Sequence, residues 1–155
     1  MPIQSAGLLP YRHVGATLEV FLVHPGGPFW AKKDDGAWSI PKGEFTPPED
    51  PLHAAQREFT EETGFTVAGD FYPLRPVKQP GGKLIHAWAV PACDLDPSAI
   101  RSNTFSLEWP PRSGKSRAFP EVDRADWFPL SQARVKILKG QLPFLDELQQ
   151  KLTRA

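Results

Sequence analysis

The chain has few of the features that mark a secreted, membrane-bound or nucleic-acid-coating protein. Cys93 is its one cysteine, so no intramolecular disulfide can form. Stability must come from an ordinary core, and a reducing compartment is compatible with that. No apolar run approaches the roughly 20 residues that a transmembrane helix needs. Met1 to Arg12 lacks the basic-then-apolar layout of a signal peptide. Net charge is also missing, since 18 Lys and Arg balance 18 Asp and Glu. That gives no support for a long nucleic-acid footprint, and a polyanionic substrate would need a local positive site. Repeats and long low-complexity tracts are absent as well. The expectation is a cytoplasmic protein with no membrane segment.

What is present suits one compact domain over residues 1–155: 40% of the residues are hydrophobic and 23% charged. Strands are expected at Ile3 to Pro10 and Leu18 to Val23, with Gly15 in the turn between them. Phe29 to Ile40 reads as loop with a short extended piece from Trp38. The period changes to helical over Pro51 to Thr63, with Gly64 at the stop position. Strand patterns resume at Phe65 to Phe71, Leu74 to Gln79 and Lys83 to Val90, the last two flanking the Pro80-Gly81-Gly82 turn. Further short strands fall at Phe105 to Trp109 and Asp126 to Phe128. Ser131 is placed to cap a helix running to about Lys139, and Leu142 to Leu152 forms a last one. Strands first, a central helix and helices last make the fold class α+β.

The chemistry concentrates in the central helix. At about 100° per residue, Glu61 and Glu62 lie about 60° and 40° to either side of Glu58, so three carboxylates share one face. Leu52, Ala55 and Phe59 centre on the neighbouring face. Like charges three and four residues apart repel, and the last helical turn disfavours anions. Arg57 can offset part of this by pairing with Glu61. A solvated acidic face is the plain alternative; a hard divalent cation bound by carboxylate oxygens would relieve the remaining repulsion.

The stretch around these residues, Gly43 to Phe65, resembles the box of the Nudix hydrolases, Gly-x5-Glu-x7-Arg-Glu-U-x-Glu-Glu-x-Gly-U with U a bulky apolar residue. Gly43, Glu49, Arg57, Glu58, Phe59, Glu61, Glu62, Gly64 and Phe65 fill its nine defined places within 23 residues. Phe59 stands where Ile, Leu or Val is usual. The resemblance implies an α/β/α sandwich with a mixed sheet between helices. It also implies Mg²⁺ or Mn²⁺ as cofactor and attack of water on a pyrophosphate bridge, giving a pyrophosphohydrolase. By position, Glu58, Glu61 and Glu62 supply metal-binding or base carboxylates, and the Gly43 carbonyl is a further ligand candidate. Arg57 and Glu49 would orient loop and helix. The general base is Glu58 or Glu62.

Outside the box, Trp38-Ser39-Ile40-Pro41-Lys42-Gly43 is similar to the lead found in Nudix enzymes acting on dinucleoside polyphosphates. Lys42 becomes a candidate phosphate contact, and Trp38 is either core or a base-stacking platform. Arg112, Lys115 and Arg117 form a basic segment that is either a phosphate-contacting loop or a solvated one. Glu121, just ahead of a strand, is a candidate extra carboxylate, with Asp123 and Glu108 as rivals. His53, His86 and Cys93 show no activating context, and Cys93 reads as structural. The substrate expected is a small nucleotide, a nucleoside triphosphate or dinucleoside polyphosphate. An ADP-ribose-like sugar nucleotide is the runner-up, for which Pro80 stands at a marker position. An RNA 5′-end hydrolase and a non-catalytic nucleotide sensor stay open, the latter disfavoured because all box carboxylates are kept.

Overall fold

A computed structural model describes residues 3–153. Two long strands, β1 (Gln4–Val14) and β2 (Thr17–Pro25), turn at Gly15, whose φ of 60° suits glycine. Only the distal half of β1 pairs with β2, from Tyr11 opposite Val20 to Val14 opposite Thr17. Its proximal half pairs instead with β3 (Lys42–Phe45), which places Gly43 opposite Ala6. The two long strands therefore diverge, and the segment carrying Lys42 and Gly43 fills the gap. On the other side of β1 runs β5 (Leu84–Pro91) in parallel, followed by β4 (Tyr72–Lys78); β8 (Val122–Pro129) closes the far edge against β2. The result is a mixed six-stranded sheet.

Alternation along the strands sends side chains to two cores. Ala6, Leu8, Phe21 and Val23 meet Ala54, Ala55 and Phe59 of α1 (Pro51–Thr63) on one face. Leu9, Val20 and Leu22 meet Ala133 of α2 (Leu130–Lys136) and Phe144, Leu145 and Leu148 of α3 (Leu142–Thr153) on the other. Each such fully buried Phe or Leu contributes roughly 1.5–3 kcal/mol, so α1 is held by its apolar face and not by its acidic one. This is the expected α/β/α sandwich. A second small sheet, the hairpin of β6 (Thr104–Glu108) and β7 (Ser116–Pro120), stands apart from the main one.

Several elements differ from the sequence reading. Phe65 to Phe71 forms no strand: Phe65, Val67 and Phe71 lie partly buried against the α1 core without a ladder, so their alternation reflects burial alone. Ser131 caps nothing, since α2 starts at Leu130 after Pro129 and ends at Lys136. Ile137 is drawn out of the helix by a bridge to Trp38, with Leu138 N–H donating to the Trp38 carbonyl at 2.8 Å. Strand β8 is longer than Asp126 to Phe128 because pairing with β2 continues back to Val122. Cys93 is exposed and thus not a core residue.

Candidate active site

Local signals set α1 as expected. Asp50 caps it by accepting from His53 N–H at 3.1 Å, Pro51 occupies the first turn, and Gly64 ends it in the left-handed region with φ 80°. Arg57 then ties the box together. Its guanidinium forks onto Glu49 at 2.8 and 2.9 Å and reaches Glu58 at 2.8 Å and Glu61 at 3.2 Å. A planar guanidinium in a bidentate pair stays charged, and these carboxylate partners push its pKa further up.

Glu58, Glu61 and Glu62 converge with Glu121 on one cavity of about 400 Å³, whose walls also carry Lys42, Gly43 and Lys83. A Cβ at Gly43 would collide with the Glu58 carboxylate, so any larger residue there displaces that group. Glu62 accepts from the Lys42 backbone N–H at 3.2 Å. The segment bearing Glu121 is fastened to α1 through Asn103, whose N–H donates to the Glu61 carbonyl at 2.8 Å and whose carbonyl accepts from Glu121 N–H at 2.9 Å. Gly26 N–H holds the Glu121 carbonyl at 2.9 Å.

Crowding of carboxylates in a partly dry cavity disfavours their charged forms. Burial, then repulsion from Glu61, lifts Glu58 to about 7. Burial lifts Glu62 to about 8, with Glu121 and Glu58 adding to it and Lys42 opposing it. Glu121 is raised by burial and by Glu61. Burial and the neighbouring Lys83 lower Lys42.

The other candidates fall at varied distances from this centre. Trp38 is only 4% exposed, packed edge-on to Phe128 at 4.9 Å, with its indole N–H on Asp34 at 2.8 Å. It lines a different and larger hollow beside β8, about 780 Å³, where Asp34 and Lys136 are paired at 2.7 Å and Asp123, Arg124 and Asp126 also face in. Arg112 and Lys115 sit exposed at the β6–β7 tip, and Arg117 is exposed on β7. Glu108 accepts from the backbone N–H of Arg112 and Gly114, each at 3.2 Å, which orders that tip. Asp123 pairs with the buried His24 at 2.8 Å instead of facing the acidic cavity. Several lining residues escaped the sequence reading, Lys83 and Trp30 among them. Lys83 reaches the cavity because β5 runs parallel to β1, a long-range pairing with no local signature. Trp30 lines an adjoining cavity of about 210 Å³ together with Lys42, Glu62 and Glu121.

Among the described residues, no three His, Cys, Asp or Glu side chains already converge into a closed metal cage. The donor set nevertheless fits a hard divalent cation: five carboxylates line one cavity, Glu44 among them and paired with Lys83 at 3.3 Å, against two lining cations among the described residues, Lys42 and Lys83. Glu58, Glu61, Glu62 and the Gly43 carbonyl are the groups that would hold it.

A sandwich that gathers helix glutamates, a strand-borne lysine and a loop glutamate into one cavity has the groups to hold a divalent cation and a phosphate chain. The family model described as the NUDIX domain matches residues 1–148, and the chain belongs to that family. Enzymes of the family generally use divalent cations. Nothing among the curated proteins matches the chain. Among solved structures, a C. elegans Ap4A hydrolase in a binary complex is similar at TM-score 0.66 and 21% identity over 99% of each chain. The NUDIX domain of Shewanella oneidensis NrtR, complexed with ADP ribose, is similar at TM-score 0.65 and 14% identity, covering 98% of this chain and 89% of that one. A mutT/nudix family protein from Listeria innocua gives TM-score 0.60 and 20% identity over 99% and 96%. At these identities the likeness is one of fold.

Proposed function

We propose that this chain is a single-domain hydrolase that uses Mg²⁺ or Mn²⁺ to cleave the phosphoanhydride of a nucleoside triphosphate or dinucleoside polyphosphate. The observation that carries this is the placement of Glu58, Glu61, Glu62 and Glu121 with Lys42 around one cavity that adjoins a less polar one. The polyphosphate belongs in the acidic cavity. When bound, the cation would neutralise phosphate charge and make water a better nucleophile. Glu58 or Glu62 takes the proton of the attacking water. Lys42 holds a phosphate oxygen as a point charge, and Arg57 keeps Glu58 and Glu61 in place. The basic residues Arg112, Lys115 and Arg117 steer longer phosphate chains.

The full-length likeness to the Ap4A hydrolase supports the polyphosphate reading. The comparable likeness to an ADP-ribose-bound domain supports a sugar nucleotide as the second reading. A panel of nucleoside triphosphates, dinucleoside polyphosphates, ADP-ribose and 5′-triphosphorylated RNA, run with each cation, separates them. Turnover of ADP-ribose or RNA alone would overturn the first reading, and binding without turnover would make the chain a sensor.

A further inference from the structure

The smaller cavity beside the acidic one measures about 210 Å³. Whole-ligand pockets run roughly 300–1,000 Å³, so it suits one part of a nucleotide. It shares Lys42, Glu62 and Glu121 with the acidic cavity, so it is the adjoining space for the rest of a nucleotide whose phosphates lie there. Trp30 is the one aromatic residue in its lining, beside Val23, Ile40 and Leu138.

Its walls have almost no free hydrogen-bond donors. The N–H groups of Val23 and Ser39 bond each other's carbonyls at 2.9 Å. That of Ile40 goes to the Gln141 side chain at 3.0 Å and that of Lys42 to Glu62 at 3.2 Å. Val122 N–H is held by Ser102 Oγ at 3.0 Å, and Leu138 N–H by the Trp38 carbonyl at 2.8 Å. The Ser39 hydroxyl donates to the Ile40 carbonyl at 2.7 Å while accepting from Gln141 at 2.9 Å. Glu121 N–H bonds the Asn103 carbonyl at 2.9 Å, the remaining lining N–H groups are taken up in turns and in α1, and Pro25 has none. What is left is the Trp30 indole N–H and the Lys42 ammonium, the latter at the junction with the phosphate cavity. The Glu62 and Glu121 carboxyls also lie at that same junction.

We propose that Trp30 holds the base by ring contact and that the enzyme does not distinguish one base from another, so that substrates are selected by their phosphate chain. This rests on the pyrophosphohydrolase reading above. A site built to hydrogen-bond its substrate rejects analogues by factors of about 10⁴ or more, whereas an apolar pocket discriminates by roughly 10–200-fold at most.

The test is steady-state kinetics on the adenine, guanine, cytosine and uracil triphosphates and on dinucleoside tetraphosphates of two bases. The expected wild-type kcat/KM values lie within about tenfold across bases at fixed phosphate length. Trp30→Ala should raise KM for all bases together by about five- to a hundredfold, with kcat kept within about twofold. Trp30→Phe should restore most of the loss. A preference above about a hundredfold for one base overturns the inference while leaving the hydrolase reading intact. A Trp30→Ala effect confined to one base, to kcat, or to thermal stability overturns it too. If the wild-type protein hydrolyses none of these nucleotides, both readings fall.

Discussion

The box helix and the β6–β7 hairpin carry the chain's two groups of charged candidates, and they are built on opposite principles. In the first, Arg57 links Glu49, Glu58 and Glu61 within a few residues of sequence, and Phe59 and Ala55 anchor the helix in the core. The cluster is thus rigidly placed, and its charges are forced close together. In the hairpin, Arg112 and Lys115 ride on an exposed tip whose attachment is aromatic: Phe29 meets Trp109 at 5.5 Å, and Phe105 lies 2.9 Å from where a Cβ on Gly27 would stand. Charges held by core packing suit chemistry that needs fixed geometry, while charges on an exposed arm suit capture of a polyanion.

Removing a charge from the rigid cluster should therefore cost far more than removing one from the arm. Glu62→Gln should lower kcat by roughly a hundredfold or more, an effect of about 2.7 kcal/mol, while the metal-free protein melts at an equal or higher temperature. A large drop in melting temperature measured in chelator would instead give Glu62 a structural role. Lys42→Ala should lower kcat/KM by roughly tenfold or more, about 1.4 kcal/mol of transition-state binding.

A pH series sharpens the same contrast. The folded-state pKa values of Glu58 and Glu62, about 7 and 8, lie above those of ordinary unfolded carboxyls. The folded state therefore holds protons that the unfolded state releases. The stability tied to these groups is fully present below about pH 4.5 and is lost as pH rises through 7 and 8. Thermal melts in chelator should fall across that window, by on the order of 1 kcal/mol per pH unit, and Glu62→Gln should flatten the slope. A pH-independent melt of the wild type would show that the carboxylates do not repel. Smallest of all, Arg112→Ala or Arg117→Ala should raise KM a few-fold, more for tetraphosphates than for diphosphates. Equal effects at every chain length, in steady-state kinetics, would make the arm a solvated surface.

The same contrast explains what could be read in the sequence. Helix α1 is written locally: Asp50, Pro51, Gly64 and the apolar spacing around Phe59 all act within one segment, so its limits and its glutamate face were legible. Elements set by distant partners were not. Ile137 leaves its helix because Trp38 pairs with it from about a hundred residues away. Lys83 enters the phosphate cavity through a parallel pairing of β5 with β1, and Trp30 lines the second cavity from within a loop. Phe65, Val67 and Phe71 showed burial correctly but not its form, since a half-buried loop and a half-buried strand share one alternation. The hairpin strands could be expected from Phe105 onward, yet nothing local shows that they pair only with each other.

The central claim is that the four glutamates form one cation-dependent centre. Its most direct measurement is the rate of nucleotide hydrolysis across free Mn²⁺ or Mg²⁺ concentrations, starting from exhaustive chelation. The expected result is no turnover without the cation, saturable recovery with it, and a shift of that saturation to higher concentration in Glu58→Gln and Glu62→Gln. Full turnover in chelator, or unchanged cation saturation in both variants, would contradict the account.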